Sequence, residues 1–119
     1  VLEAGGGTLE RPAFIEWNGP NNGLGDVVNA VQVPDWMQEV AEPDRIRAAM
    51  ADPVRTVVTP GGWKFNCSPL GEHELYDLND DPFETRNVFE DNRQRARELR
   101  DVIRAWQDRT EDAVSLPEL

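Results

Sequence analysis

A chain of 119 residues suits one domain with a modest core, because small domains bury proportionally less of their surface. Its 23 acidic side chains outnumber 12 basic ones, and the net charge of -11 argues against nucleic acid or an anionic membrane surface as a partner. No apolar run is long enough to span a bilayer, no secretory leader is visible, and a single cysteine forbids an internal disulfide while leaving the compartment open.

The first residue is Val1 and not Met, so the chain reads as cut from something longer. Residues 1 to 10 hold three consecutive glycines, Gly5 to Gly7, and are expected to be a flexible lead-in. Arg11 to Asn18 carries the apolar run Ala13, Phe14, Ile15 and Trp17 between turn residues, which predicts a first strand. Gly19 to Gly25 is a dense turn signal, and Asp26 to Pro34 has valines without clean periodicity and is expected to be irregular. Pro43 in a first turn, with Ile46, Ala49 and Met50 on one face, predicts a short helix closed by Pro53. Residues 19 to 53 are therefore a loop-rich insertion with one short helix.

Val54 to Thr59 is β-branched at five of six positions, which favours a strand. Pro60-Gly61-Gly62 reverses the chain, and Trp63 to Cys67 puts Trp63, Phe65 and Cys67 on one side with Lys64 and Asn66 on the other. A third strand, Glu74 to Leu78, points Leu75 and Tyr76 toward a core and Glu74 and Asp77 toward water. Asn79 to Pro82 stops it, with Phe83 and Val88 expected to pin the turn at both ends. A helix is predicted over 92 to 110, with Asp91 as N-cap and Gln94 completing a capping box. Its stripe of Ala96, Leu99, Val102, Ile103 and Trp106 faces the sheet, and Arg97 with Asp101 and Arg104 with Asp108 are expected outer pairs. The charged groups from Glu72 to Asp91 are acidic except Arg86, so that segment is expected to pair with the arginine-rich helix; Leu116-Pro117 ends a short tail. The fold class is thus α+β, a small antiparallel sheet of about four strands packed by one long C-terminal helix.

Chemistry-bearing residues are few. Asp77, Asn79 and Asp81 imitate the opening of a calcium loop, but Pro82 stands where glycine is needed and Val88 where a bidentate Glu is needed, so a solvated turn is expected. His73 is the sole histidine, and on that count Ser-His-Asp, Cys-His and multi-histidine zinc sets are read as excluded. Trp63 and Trp106 are assigned to the core, and Trp17 or Trp36 to a face that packs on another domain.

The run Glu74-Leu75-Tyr76-Asp77-Leu78, then Asp81-Pro82, Glu84 and Asn87-Val88, is similar to a segment near the C-terminus of sulfatases of the alkaline-phosphatase superfamily. Arg55-Thr56-Val57 and Trp63-Lys64-Phe65 resemble that family's upstream strand pair. The resemblance covers residues 54 to 110, with Phe14-Ile15-Glu16 a looser match. It implies that residues 11 to 119 are a non-catalytic C-terminal subdomain of a sulfatase-like hydrolase. Arg55, Lys64, Glu74, Leu75, Tyr76, Asp77, Leu78, Asp81, Pro82, Glu84 and Asn87 are then structural motif positions, and His73 and Lys64 are candidates to line a substrate cleft. Cys67-Ser68-Pro69-Leu70-Gly71 echoes the motif whose cysteine becomes formylglycine, but Gly71 replaces its arginine. The implied parent hydrolyses sulfate esters with Ca²⁺ and a formylglycine carried elsewhere; phosphonate or phosphate ester hydrolysis suits the same residues. The implied partner is the N-terminal catalytic domain of the same parent chain, with a dimer expected for the isolated fragment. The rival reading is a stand-alone module whose acidic turn, Asp77 to Glu84, binds a basic partner.

Overall fold

The computed structural model describes residues 3–4, 7–19 and 32–119. Glu3–Ala4 (β1) pairs antiparallel with Gly7–Thr8 (β2), so part of the lead-in carries a short ladder. The expected turn from Gly19 to Gly25 and the irregular stretch from Asp26 to Pro34 lie largely outside the described residues.

Four strands, Ala13–Glu16 (β3), Arg55–Val58 (β4), Trp63–Cys67 (β5) and Glu74–Asp77 (β6), form one antiparallel sheet in the order β3-β4-β5-β6. Phe14, Val57, Phe65 and Leu75 lie opposite one another across all four strands, a cross-strand row on one face. Every residue of the inner strand β4 is buried, the charged Arg55 included. The β4–β5 reversal depends on Gly62, whose φ of 89° suits glycine and whose absent Cβ leaves room for Asn79. Asn79 Nδ2 donates to the Gly61 carbonyl at 2.8 Å, so the turn after β6 clamps the hairpin before it.

Asp35–Gln38 (α1) is a single turn that the sequence reading missed, and Pro43–Ala51 (α2) begins with proline as expected. Ile46 and Met50 of α2 are half-buried, whereas Ala49 is exposed. The long helix, Arg93–Thr110 (α3), packs across β4 and β5 with Ala96, Leu99 and Ile103 buried and Val102 and Trp106 against the same core. Trp106 stacks on Phe14 at 5.0 Å between ring centres, which closes the β3 end of that core.

Several local expectations are corrected. Asp91 does not cap α3: Glu90–Asn92 forms a 3₁₀ turn ahead of it, and Asn92 donates through Nδ2 to the Val88 carbonyl at 2.9 Å. The expected pairs on the outside of α3 are replaced by contacts with the tail. Glu111 turns the chain at φ 57°, and the segment runs back along the helix, burying Leu116 in the core. Arg97 Nε reaches the Leu119 carbonyl at 2.8 Å, and Glu118 accepts from Arg100 at 3.1 Å and Arg104 at 3.0 Å. The acidic segment instead pairs mainly outside the helix, through Lys64–Glu84 and Arg45–Glu72, with Arg93–Glu90 the local exception. Tyr76 joins Val58 and Leu78 in a second small cluster on the far face of the sheet, with Leu9 and Ala13 against it.

Candidate functional site

The resemblance-bearing residues from Glu74 to Val88 lie on the β6 edge and its turn. Asn87 Oδ1 accepts from the Leu75 backbone N–H at 2.9 Å while its Nδ2 donates to the His73 carbonyl at 2.9 Å, standing in for a missing neighbour strand. Val88 continues that pairing by donating to the Leu75 carbonyl at 2.9 Å. Asp81 accepts from the Thr85 backbone N–H at 3.0 Å, the Thr85 hydroxyl at 2.9 Å and the Arg86 N–H at 2.9 Å, and the two backbone donors hold its carboxyl below the usual range. Lys64 Nζ meets Glu84 at 2.7 Å, tying β5 to the turn where Glu84 adopts a φ of 55°. Val88 packs on the core as expected, but Phe83 is 87 % exposed; polar bonds, not an apolar anchor, hold that end of the turn.

The calcium-like spacing does not make a cradle. Asp77 Oδ1 takes the Asn79 N–H at 3.1 Å and both oxygens of Asp81 take N–H groups, the solvated turn that the sequence implies. Among the described residues, no group of three or more His, Cys, Asp or Glu is placed to hold a metal ion.

A second polar cluster lies at the start of the β5–β6 connection. Ser68, 1 % exposed, donates its hydroxyl to Asp52 Oδ2, and Asp52 Oδ1 accepts the Leu70 N–H at 3.1 Å. His73 Nδ1 accepts the Ser68 backbone N–H at 3.1 Å, and its ring lies 5.0 Å from that of Phe89. One histidine suffices for a Ser-His-Asp set, so counting does not exclude one; here the three residues are adjacent but are not bonded in the order hydroxyl, imidazole, carboxylate. The serine hydroxyl is bound to the carboxylate, and the imidazole accepts from the Ser68 backbone N–H and packs on Phe65 and Phe89, so the imidazole is not the partner of the hydroxyl. Burial lowers the His73 pKa, and burial pushes the fully enclosed Cys67 thiol up to about 12. Such a thiol is a core side chain, neither thiolate nor accessible.

Arg55, 2 % exposed, forms a third node, gripping Asp112 through Nε at 2.8 Å and Nη2 at 3.0 Å. Its Nη1 donates to the Trp17 carbonyl at 3.1 Å, and Gln107 Nε2 joins Asp112 at 2.8 Å, so β3, β4, α3 and the tail meet at one guanidinium. Asp112 is held down to about 2, chiefly by the bond from Arg55.

The two cleft candidates are not brought together. Lys64 stands opposite Val58 and Tyr76 on the face away from α3, whereas His73 packs against Phe65 and Phe89 at the helix side. On the Lys64 face runs a chain of bonds: Thr56 Oγ1 to Asn66 Oδ1 at 2.7 Å, Asn66 Nδ2 to Glu74 at 3.3 Å and the Tyr76 hydroxyl to Glu74 at 2.7 Å. Sequence reading missed Asp52, Ser68 and Asp112, whose partners lie 16 and 57 residues away, beyond any local pattern. Trp63 and Trp106 pack on the core as expected, while Trp17 and Trp36 are 47 % and 66 % exposed. No protein-family model, no curated protein and no solved structure matches this chain.

Proposed function

We propose that this chain is the non-catalytic C-terminal subdomain of a sulfatase-like hydrolase, completing the fold of a catalytic domain in the same parent and contributing a surface near its substrate cleft. One observation carries the reading: the motif side chains are committed to holding the subdomain together. Asn87 closes the sheet edge, Asp81 caps its turn, Arg55 locks the tail and Lys64 pairs with Glu84. Residues so engaged are free for no chemistry of their own. The parent hydrolyses a sulfate ester with Ca²⁺ and a formylglycine outside this chain, and a phosphonate or phosphate ester is an equally suitable substrate. Exposed Ile15, Trp17 and Trp36 are suited to burial against the partner domain, and in isolation they favour a dimer that light scattering detects. The test is the gene upstream of Val1: several hundred codons that include a C-x-P-x-R or S-x-P-x-R motif are expected, and a start codon beside Val1 overturns the proposal.

A rival rests on Phe83, which projects at 87 % exposure beside Asp80, Asp81 and Glu84. An aromatic tip within acid suits a basic peptide, and the start codon beside Val1 is the outcome that favours this stand-alone module.

A further inference from the structure

A groove of about 800 Å³ lies between the segment entering β3 and the outer flank of α3, within the size range of small-molecule sites. Leu9, Pro12 and Phe14 form one wall; Val102, Ala105 and Arg109 form the other, at i, i+3 and i+7, with Val102 at the margin of the core stripe. The Phe14 wall is fixed by its stack on Trp106. Arg11 and Arg109 stand at this groove with Glu10.

The charge pattern singles the place out. Most cations of this acidic chain are engaged: Arg45, Arg47, Arg55, Lys64, Arg93, Arg95, Arg100 and Arg104 in ion pairs, Arg97 with the Leu119 carbonyl. Among the described residues, the side chains of Arg11, Arg86 and Arg109 make no ion pair or hydrogen bond, and two of those three line this groove. Glu10 shares the rim without pairing either arginine. Arg109 sits in the last turn of α3, where a cation complements the helix dipole, and that role leaves its planar fork of donors open. A guanidinium fork matches the two oxygens of a carboxylate or sulfate, while the adjoining apolar walls repel a bare hydrated ion and accept a hydrocarbon.

We infer that this groove is a binding site for an amphiphilic organic anion, an oxyanion head group between Arg11 and Arg109 with an apolar body along Leu9, Phe14 and Val102. The inference does not depend on the hydrolase reading, since apart from Phe14, which belongs only to the looser match, the site uses none of the residues that carry the resemblance.

Amide spectra of the ¹⁵N-labelled chain, titrated with octanoate, with octyl sulfate below its micelle concentration and with neutral 1-octanol, test it. Saturable shifts centred on Arg11, Phe14, Val102 and Arg109 are expected with at least one anion, and the tighter of the two names the head group. Octanol should bind about tenfold more weakly, and Arg11→Gln or Arg109→Gln should each weaken the anion about tenfold, the loss of one charge-assisted contact. Both arginines are exposed, so neither variant disturbs the core. Octanol binding as tightly as the anions, shifts centred on Ile15 and Trp17 instead, or no saturable binding by either anion would each overturn the inference.

Discussion

The helix-covered face of the sheet sets Phe14, Val57, Phe65 and Leu75 against α3 and the tail, whereas the opposite face carries Thr56, Asn66, Glu74 and Tyr76 joined by hydrogen bonds and leaves Ile15 exposed. The first face is covered by this chain's own residues, apart from the groove beside Phe14, and gains stability from apolar area removed from water. The second has its polar groups satisfied internally but little apolar cover beyond the Val58, Tyr76 and Leu78 cluster. A face arranged in this way tolerates water, so the two faces differ in how much stability they supply.

That difference can be broken most severely on the covered face. Ile103→Ala leaves a cavity beneath Phe65 and Leu75 and is expected to cost about 2 to 5 kcal/mol in urea denaturation, enough to unfold much of a small domain. Next comes the latch at its edge. Arg55→Met strands the nearly buried Asp112 and should cost about 3 kcal/mol.

The same latch gives a pH signature. The Asp112 carboxyl is depressed to about 2 from an ordinary 3.8, so its contribution is complete above about pH 4 and fades as pH falls toward 2. The loss should approach about 2 kcal/mol and be absent in Asp112→Asn, as denaturant midpoints across that range would reveal.

Asn87→Ala removes the clamp on the β6 edge and is expected to cost about 1 to 2 kcal/mol, with faster amide exchange at Leu75. The smallest effect belongs to Phe83→Ser, within about 0.5 kcal/mol because the ring touches little, although it should abolish any binding that uses the acidic tip.

Much of the fold was legible because the signals are local. The β-branched run from Val54 to Thr59, the glycine reversal before Trp63 and the 3.6-residue stripe from Ala96 to Trp106 each specify an element without help from distant residues. What escaped is tertiary. Nothing near Glu118 announces Arg100 and Arg104 as its partners, and a tail of nine residues with two apolar leucines reads as an ending until its return along α3 is seen. Phe83 misled because an aromatic residue flanking a turn commonly anchors it, while here Asp81 and Glu84 do that work through backbone and Lys64. The motif positions were visible, but their function as hydrogen-bond clamps emerges only when Asn87 meets both Leu75 and His73.

The most direct measurement is turnover by the purified chain, checked for its fold by circular dichroism, on aryl sulfate and aryl phosphate esters with and without added Ca²⁺. Background rates are expected under every condition, because Cys67 is enclosed and the Ser68 hydroxyl is held by Asp52. Saturable hydrolysis that disappears in Cys67→Ala or Ser68→Ala would contradict a chain whose polar residues serve its own architecture.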